Sequence, residues 1–348
     1  MIVNVLLLAL GFVLLIKGGD WFVDGATGIA RRFHLPEILI GATVVSIGTT
    51  LPEVMVSAGA AAQGAGSIAY GNAIGSIICN TSLIAALTIA IKPGAAARKS
   101  LKIPVAFFFI AAAFYCAISY FAGTFTRISG IILLATFVIY MTLTVVRMKK
   151  SGADIDTVQE EEEHGPLVSE EALEAASGED HVVETKEAGT KDSLLKDILF
   201  LVLGAALIAV GADLLVDNAT AIATSLGVSE KVIGLTIVAL GTSLPELVTA
   251  ITSLAKGHGS LSLGNIIGAN LFNLVLVSGA AITINPFDVP ASGFINGINS
   301  SLIIDIPVML AVMLILTVPP LIKQKLYRWQ GISLLGIYAA FCALQFVI

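Results

Sequence analysis

The chain has 348 residues, 56% of them hydrophobic and only 13% charged, with a mean hydropathy of +0.93 and a formal net charge of −6. Those proportions exclude a soluble globular protein and point to a polytopic membrane protein. The charge is unevenly spread: Ser151 to Asp197 hold 15 acidic and 3 basic residues, so everything outside that segment sums to +6.

Apolar stretches long enough to cross about 30 Å of hydrocarbon as helices lie near 2–17, 38–62, 72–91, 103–122 and 128–146. Five more follow near 194–212, 232–255, 262–284, 301–322 and 329–348. The fold class is therefore an all-α polytopic membrane protein with ten transmembrane helices. The first segment lacks a basic leader and a small-residue cleavage site, so it reads as a retained helix rather than a signal peptide. Cys79, Cys116 and Cys342 all fall in spans without metal-site spacing and read as small apolar packing residues.

The acidic segment is the one long polar interruption. It reads as a solvated linker, because it carries no EF-hand pattern and is too short for an immunoglobulin-like domain of roughly 100 residues. With alternating spans, 16 of the 19 basic residues fall on the linker side and two, Arg127 and Lys231, on the other, with Lys17 uncounted. The positive-inside rule then makes the linker cytoplasmic and both termini extracellular, in a multi-pass protein of the plasma membrane.

The sequence is also written twice. Offset by 193, Leu10 to Pro93 matches Leu203 to Pro286 without gaps, with 34 identities in 84 positions. GATVVSIGTTLPE matches GLTIVALGTSLPE, and GNAIGSIICN matches GNIIGANLFN. Each unit holds five spans, an odd number, so the second enters the membrane from the opposite face. The domains expected are a first five-helix repeat at 1–148 with its motif at 37–93, a linker at 149–197, and a second repeat at 198–348 with its motif at 230–286. Two inverted five-helix repeats are the architecture of secondary transporters, whose sites lie near the midplane where the repeats meet.

Glu53 and Glu246 are equivalent positions, each the lone acid deep in its span. An ionised carboxylate at that depth costs at least ~2.5–3.5 kcal/mol on insertion scales, so both must face protein, water or a cation. A protonated carboxyl gluing helices together is the bland alternative. Pro52 and Pro245 remove a backbone donor and crowd the carbonyls of Gly48 and Gly241, so the turns holding Thr49, Thr50, Thr242 and Ser243 are expected to be loosened. Thr49 and Glu53, four apart, share one helical face. Gly71 and Gly75, with Gly264 and Gly268, form small-xxx-small patterns suited to close packing. Asn72 and Asn265 are expected to cap or brace the start of their own span, while Asn80 and Asn273 carry carboxamides that hydrocarbon cannot satisfy. Asp20, Asp24, Asp213 and Asp217 read as caps or braces at the ends of the first span of each half, with ion entry as the alternative.

The donors are all oxygen, with no His or Cys at ligand spacing, which suits a hard cation such as Ca²⁺ or Na⁺ rather than zinc or copper. No cofactor is expected, and the partners are the lipid bilayer and the transported ions, not nucleic acid.

At these motifs the chain resembles the sodium/calcium exchanger branch of the calcium/cation antiporter superfamily, across both hydrophobic halves. The resemblance implies a monomeric, ten-helix antiporter, not an enzyme, in which about three Na⁺ entering drive out one Ca²⁺. It also implies a bundle of short first and sixth helices sliding over a fixed core. Carried over by position, the implied ligands are Thr49, Thr50, Glu53, Ser76 and Asn80 from the first repeat and Thr242, Ser243, Glu246 and Asn273 from the second, with backbone carbonyls at Ser46 and Ala239. The chain departs from the microbial pattern in having Ser46 for alanine, Ala269 for a serine and Asn273 for an aspartate. A Ca²⁺/H⁺ antiporter on the same fold stays open as an alternative, although that branch carries a glutamate where this chain has Gly75. A cation channel is the alternative from a different class.

Overall fold

The computed structural model describes residues 2–33, 35–94, 96, 98–162, 191–226, 241, 243–291, 293–295 and 297–347. Ten helices carry the hydrophobic mass: α1 Ile2–Arg32, α2 Glu37–Ala62, α3 Gly66–Ile91, α4 Arg98–Ala122, α5 Arg127–Glu162, α6 Lys191–Ser225, α7 Leu244–Ala255, α8 Gly259–Ile284, α9 Ser301–Lys323 and α10 Arg328–Val347. Eight of them are long and apolar enough to span a membrane; α7 is a shorter apolar helix whose preceding residues, 227–240, lie outside the described set.

α1 and α6 are the longest helices of their halves after α5. The expectation that the first and sixth helices are short is corrected: α1 has 31 residues and α6 has 35. Helices of those lengths cover about 47–53 Å at 1.5 Å per residue, more than the hydrocarbon thickness. The first span continues past Lys17 because Gly18, Gly19, Asp20 and Trp21 stay helical, so Asp20 and Asp24 lie inside α1 and cap nothing.

The pairing of α1 with α6 follows from glycines seven residues apart. A Cβ on Gly11 would sit 2.9 Å from the Gly211 carbonyl oxygen, one on Gly18 2.9 Å from that of Gly204, and one on Gly25 2.5 Å from that of Asp197. As the number rises along α1 it falls along α6, so these two equivalent helices run antiparallel. That is the inversion of the repeat, seen in the backbone. Their apolar windows are only 22% buried each, against 83% for α8, so the pair lies at the periphery and α8 at the centre.

α8 earns its place by small residues on one face and large ones on the other. Gly264 and Gly268 let it approach α2 until an added Cβ would be 2.2 Å from the Ile38 carbonyl oxygen or 2.3 Å from Ser46 Oγ. Its other face feeds Leu271, Phe272 and Leu274 into the main core with Ile77, Phe108 and Tyr140. Phe272 stands edge-on to Phe137 at 5.1 Å, a favoured aromatic geometry.

The loops sort onto two sides. On one, β1 (Thr124–Phe125) after α4 pairs with β2 (Phe287–Asp288) after α8, while β3 (Phe294–Ile295) and β4 (Ile298–Asn299) form a hairpin before α9. On the other, the chain between α3 and α4 bonds that between α9 and α10 through Ala96 N–H to Gln324 O (3.0 Å) and Leu326 N–H to Gly94 O (2.8 Å). His258 Nδ1 meets Glu37 Oε1 there at 2.7 Å, and Arg32 meets Asp197 at 3.6 Å.

Candidate cation-binding site

The four site helices carry local irregularities that the motifs place. α2 holds a π-helical turn at Gly41–Val45, α3 one beginning at Asn80, and α8 one beginning at Asn273. Such insertions recur at functional sites because the wider turn frees backbone groups and re-aims side chains. The loosened turn expected at Pro52 is corrected: α2 stays α-helical from Ser46 through Pro52 to Ala62, and its irregularity lies about two turns earlier, at Gly41–Val45. In the second repeat the helix begins at Leu244 after Ser243, with Pro245 in its first turn, where its missing N–H leaves no bond unmade.

Glu53 and Glu246 are both fully buried, close enough for the charge of one to act on the other. Neither pairs with a basic side chain among the described residues. Around them Thr49, Thr50, Ser76, Asn80, Ser243 and Asn273 are buried. Thr242 and Ala239, also expected here, lie outside the described residues.

What distinguishes this cluster is how much of it lacks a partner. Among the described residues, both carboxylate oxygens of Glu53 and of Glu246, both carboxamide ends of Asn80 and of Asn273, and Thr50 Oγ1 form no hydrogen bond. Each neutral group so left costs about 1–3 kcal/mol, and charged ones cost more. Summed, the penalty rivals a typical domain stability of about 5–15 kcal/mol. A set that large is suited to holding something with positive charge, and its donors are oxygens that fit a hard cation.

The rest of the neighbourhood is braced. Ser46 Oγ lies 2.7 Å from Gly41 O and 2.9 Å from Asn265 O, tying α2 to α8. Thr49 Oγ1 lies near the Glu246 carboxylate but donates to Asn265 Oδ1 at 3.2 Å. Asn72 Nδ2 reaches Glu53 O (3.1 Å) and Ser57 Oγ (2.8 Å). The expectation that Asn72 and Asn265 cap or brace their own span is therefore corrected: both lie inside helices and serve α2, one from α3 and one from α8.

Three residues escaped the motif reading. Thr249 and Ser253 on α7 are fully buried, with hydroxyls that have no hydrogen-bond partner among the described residues, at i+3 and i+7 from Glu246. Their helical spacing was the available signal, but Val56 and Ala60 at the equivalent positions kept it out of the repeat. Asn270 was also missed: its Nδ2 donates to Thr81 Oγ1 at 2.7 Å, and Ile77 is its counterpart.

A cavity of about 520 Å³ opens beside the cluster, between α2, α6 and the start of α7, with Gly48, Pro52, Ala209, Asp213, Asp217 and Pro245 among its walls. Toward the buried set it meets a space of about 10 Å³ beside Phe22, Thr49 and Ala205, room for one water-sized body.

The profile of the family Sodium/calcium exchanger protein matches residues 3–146 and 196–347. The chain belongs to the sodium/calcium exchanger protein family. The exchanger fold is borne out by known structures: the sodium-calcium exchanger NCX_Mj soaked with Na⁺ and Sr²⁺ superposes with a TM-score of 0.76 and 32% identity over 98% of each chain. Among curated relatives, the sodium/calcium exchanger MaX1 of Methanosarcina acetivorans is 32% identical over 99% of both chains. The putative antiporter CaxA of Alkalimonas amylolytica is 35% identical over 100% of this chain and 99% of its own. This exchanger is thus a multi-pass membrane cation antiporter built as two inverted five-helix repeats.

Proposed function

We propose that this exchanger moves Ca²⁺ against about three Na⁺ by alternating access, with both ions meeting the carboxylates of Glu53 and Glu246. The observation that carries the reading is the oxygen-rich, largely unpartnered set in which those two acids are both fully buried with no basic side chain paired to either among the described residues. Two carboxylates balance one divalent ion, and the same oxygens serve monovalent ions in its place, so binding is competitive and flux is exchange. Three charges in for two out moves one net charge, worth ~2.3 kcal/mol per 100 mV of membrane potential.

Thr49, Thr50, Ser76, Asn80, Ser243 and Asn273 complete the proposed ligand set, with Thr242 and the carbonyls of Ser46 and Ala239. The acidic linker at 149–197 is assigned to the cytoplasm, between repeats at 1–148 and 198–348, with both termini outside a plasma membrane and the protein monomeric. In proteoliposomes at matched pH, ⁴⁵Ca²⁺ uptake driven by an outward Na⁺ gradient and accelerated by an inside-positive potential is expected. Uptake driven by a proton gradient alone would instead establish Ca²⁺/H⁺ exchange, and uptake with no counter-ion gradient a channel.

A further inference from the structure

The two repeats end their second helix in the same turn. Gln63 (φ −87°, ψ 4°) is followed by Gly64 at φ 78°, and Lys256 (φ −80°, ψ 0°) by Gly257 at φ 84°. The positions that open the next helix also agree, Ala65 at φ −90°, ψ 59° and His258 at φ −92°, ψ 51°. Offset by 193, Lys256 and Gln63 are one position, Asp20 and Asp213 another, and Asp24 and Asp217 a third. The backbone is symmetric; the charge is not.

Lys256 uses its ammonium fully. It lies 2.7 Å from Asp24 Oδ1 and 3.4 Å from Asp20 Oδ1, and donates to the Asp20 carbonyl oxygen at 3.0 Å. These bonds run from the turn after α7, on the helix that bears Glu246, to α1 of the peripheral pair. Above them α1 lies close on α7, with Gly19 against Thr252. In the other half Gln63 is exposed and uncharged, and Asp213 and Asp217 form no ion pair among the described residues. There α6 stands off from α2, and the 520 Å³ cavity separates them.

We propose that Lys256 is a positioning residue for exchange: it latches the α1–α6 pair to the core on the side of Arg32, and the missing cation at Gln63 leaves the opposite side unlatched. The one-sided latch sets the resting state to closed at the Lys256 side and open at the Asp213 side. This rests on the exchanger reading and on the assignment of the Lys256 side to the cytoplasm.

The test uses the full chain in proteoliposomes, with Cys79, Cys116 and Cys342 replaced by alanine and a single reporter cysteine, Thr252→Cys or Ala209→Cys, probed with a membrane-impermeant thiol reagent. Lys256→Gln is expected to speed labelling of Thr252→Cys from the cytoplasmic side and slow that of Ala209→Cys from outside, each by about threefold to tenfold, as befits losing two partly exposed ion pairs. Lys256→Arg should restore the original rates, and Gln63→Lys should slow outside labelling at Ala209→Cys by supplying the absent cation. If Lys256→Gln does not fold, Asp20→Asn with Asp24→Asn must give the same shift. Unchanged labelling at both reporters overturns the proposal. Shifted labelling in vesicles without Na⁺-driven Ca²⁺ flux would keep the latch and remove the exchanger reading; flux with unshifted labelling removes the latch alone.

Discussion

Asn72 Nδ2 donates to the backbone carbonyl of Glu53 at 3.1 Å, so the second residue of one motif holds the last residue of the other. The bond crosses from α3 to α2 and shares its amide with Ser57 Oγ at 2.8 Å. The carboxylate of Glu53 is thereby fixed in position while its own oxygens stay available.

Asn72→Ala should leave the buried Ser57 hydroxyl without its partner and take an additional bond from the helical carbonyl of Glu53, costing about 1–3 kcal/mol of stability. Transport should fall with it, because the carboxylate loses its support. Thermal unfolding in detergent together with Ca²⁺ flux checks this; an unchanged melting temperature with normal flux would show that the brace is idle.

Replacing either acid should be far more severe. Glu53→Gln and Glu246→Gln keep the shape of the site and remove one of its two negative charges, so Na⁺-driven ⁴⁵Ca²⁺ flux is expected to drop to background while the protein still inserts and purifies. Flux above a tenth of the parent, on the order of 1.4 kcal/mol of lost transition-state stabilisation, would place the ions elsewhere.

Gly268→Ala puts a Cβ 2.3 Å from Ser46 Oγ and 2.6 Å from the Ala42 Cα. Backbone cannot yield there, so the α2–α8 approach must open, at a cost of about 1–3 kcal/mol for overpacking. Gly59→Ala is the control, since a Cβ there meets nothing within 4 Å and alanine favours the helix by roughly 0.5–1 kcal/mol. Opposite shifts in melting temperature for the two variants are expected.

Ala269 is fully buried where its repeat mate is Ser76. Ala269→Ser adds one oxygen of the kind the cluster already uses, so the Na⁺ concentration for half-maximal exchange should fall by about tenfold or less, the worth of one hydrogen-bonding group. A Na⁺ titration of flux, with Ca²⁺ dependence measured beside it, reads the effect; no change in either would mean that position faces away from the ions.

Much of this was legible in the sequence because the repeat prints it twice. Glu53 and Glu246, Asn80 and Asn273, and the paired glycines announce themselves by recurring at one offset in apolar surroundings. Thr249 and Ser253 recur nowhere, so symmetry hid them even though helical spacing from Glu246 placed them. The bent turn expected at Pro52 failed for a different reason: a proline's missing bond can be absorbed within a packed helix, and the wider turn at Gly41–Val45 sits where Gly264 and Gly268 press α8 against α2. α1 runs on past Lys17 to Arg32, because Lys17, Asp20 and Asp24 break the hydropathy while leaving the helix intact.

The glycine seam between α1 and α6 sets a condition on biosynthesis. Gly11 leaves the ribosome about 200 residues before its partner Gly211, so α1 must wait in the bilayer without that partner until α6 is inserted. Its apolar window, with a mean hydropathy of 2.2, makes it long and oily enough to stand alone for that interval. Delay costs little in chain entropy, since loop closure grows only with the logarithm of length. The α1–α6 seam then closes by zipping a helix already in the bilayer onto one made about 200 residues later.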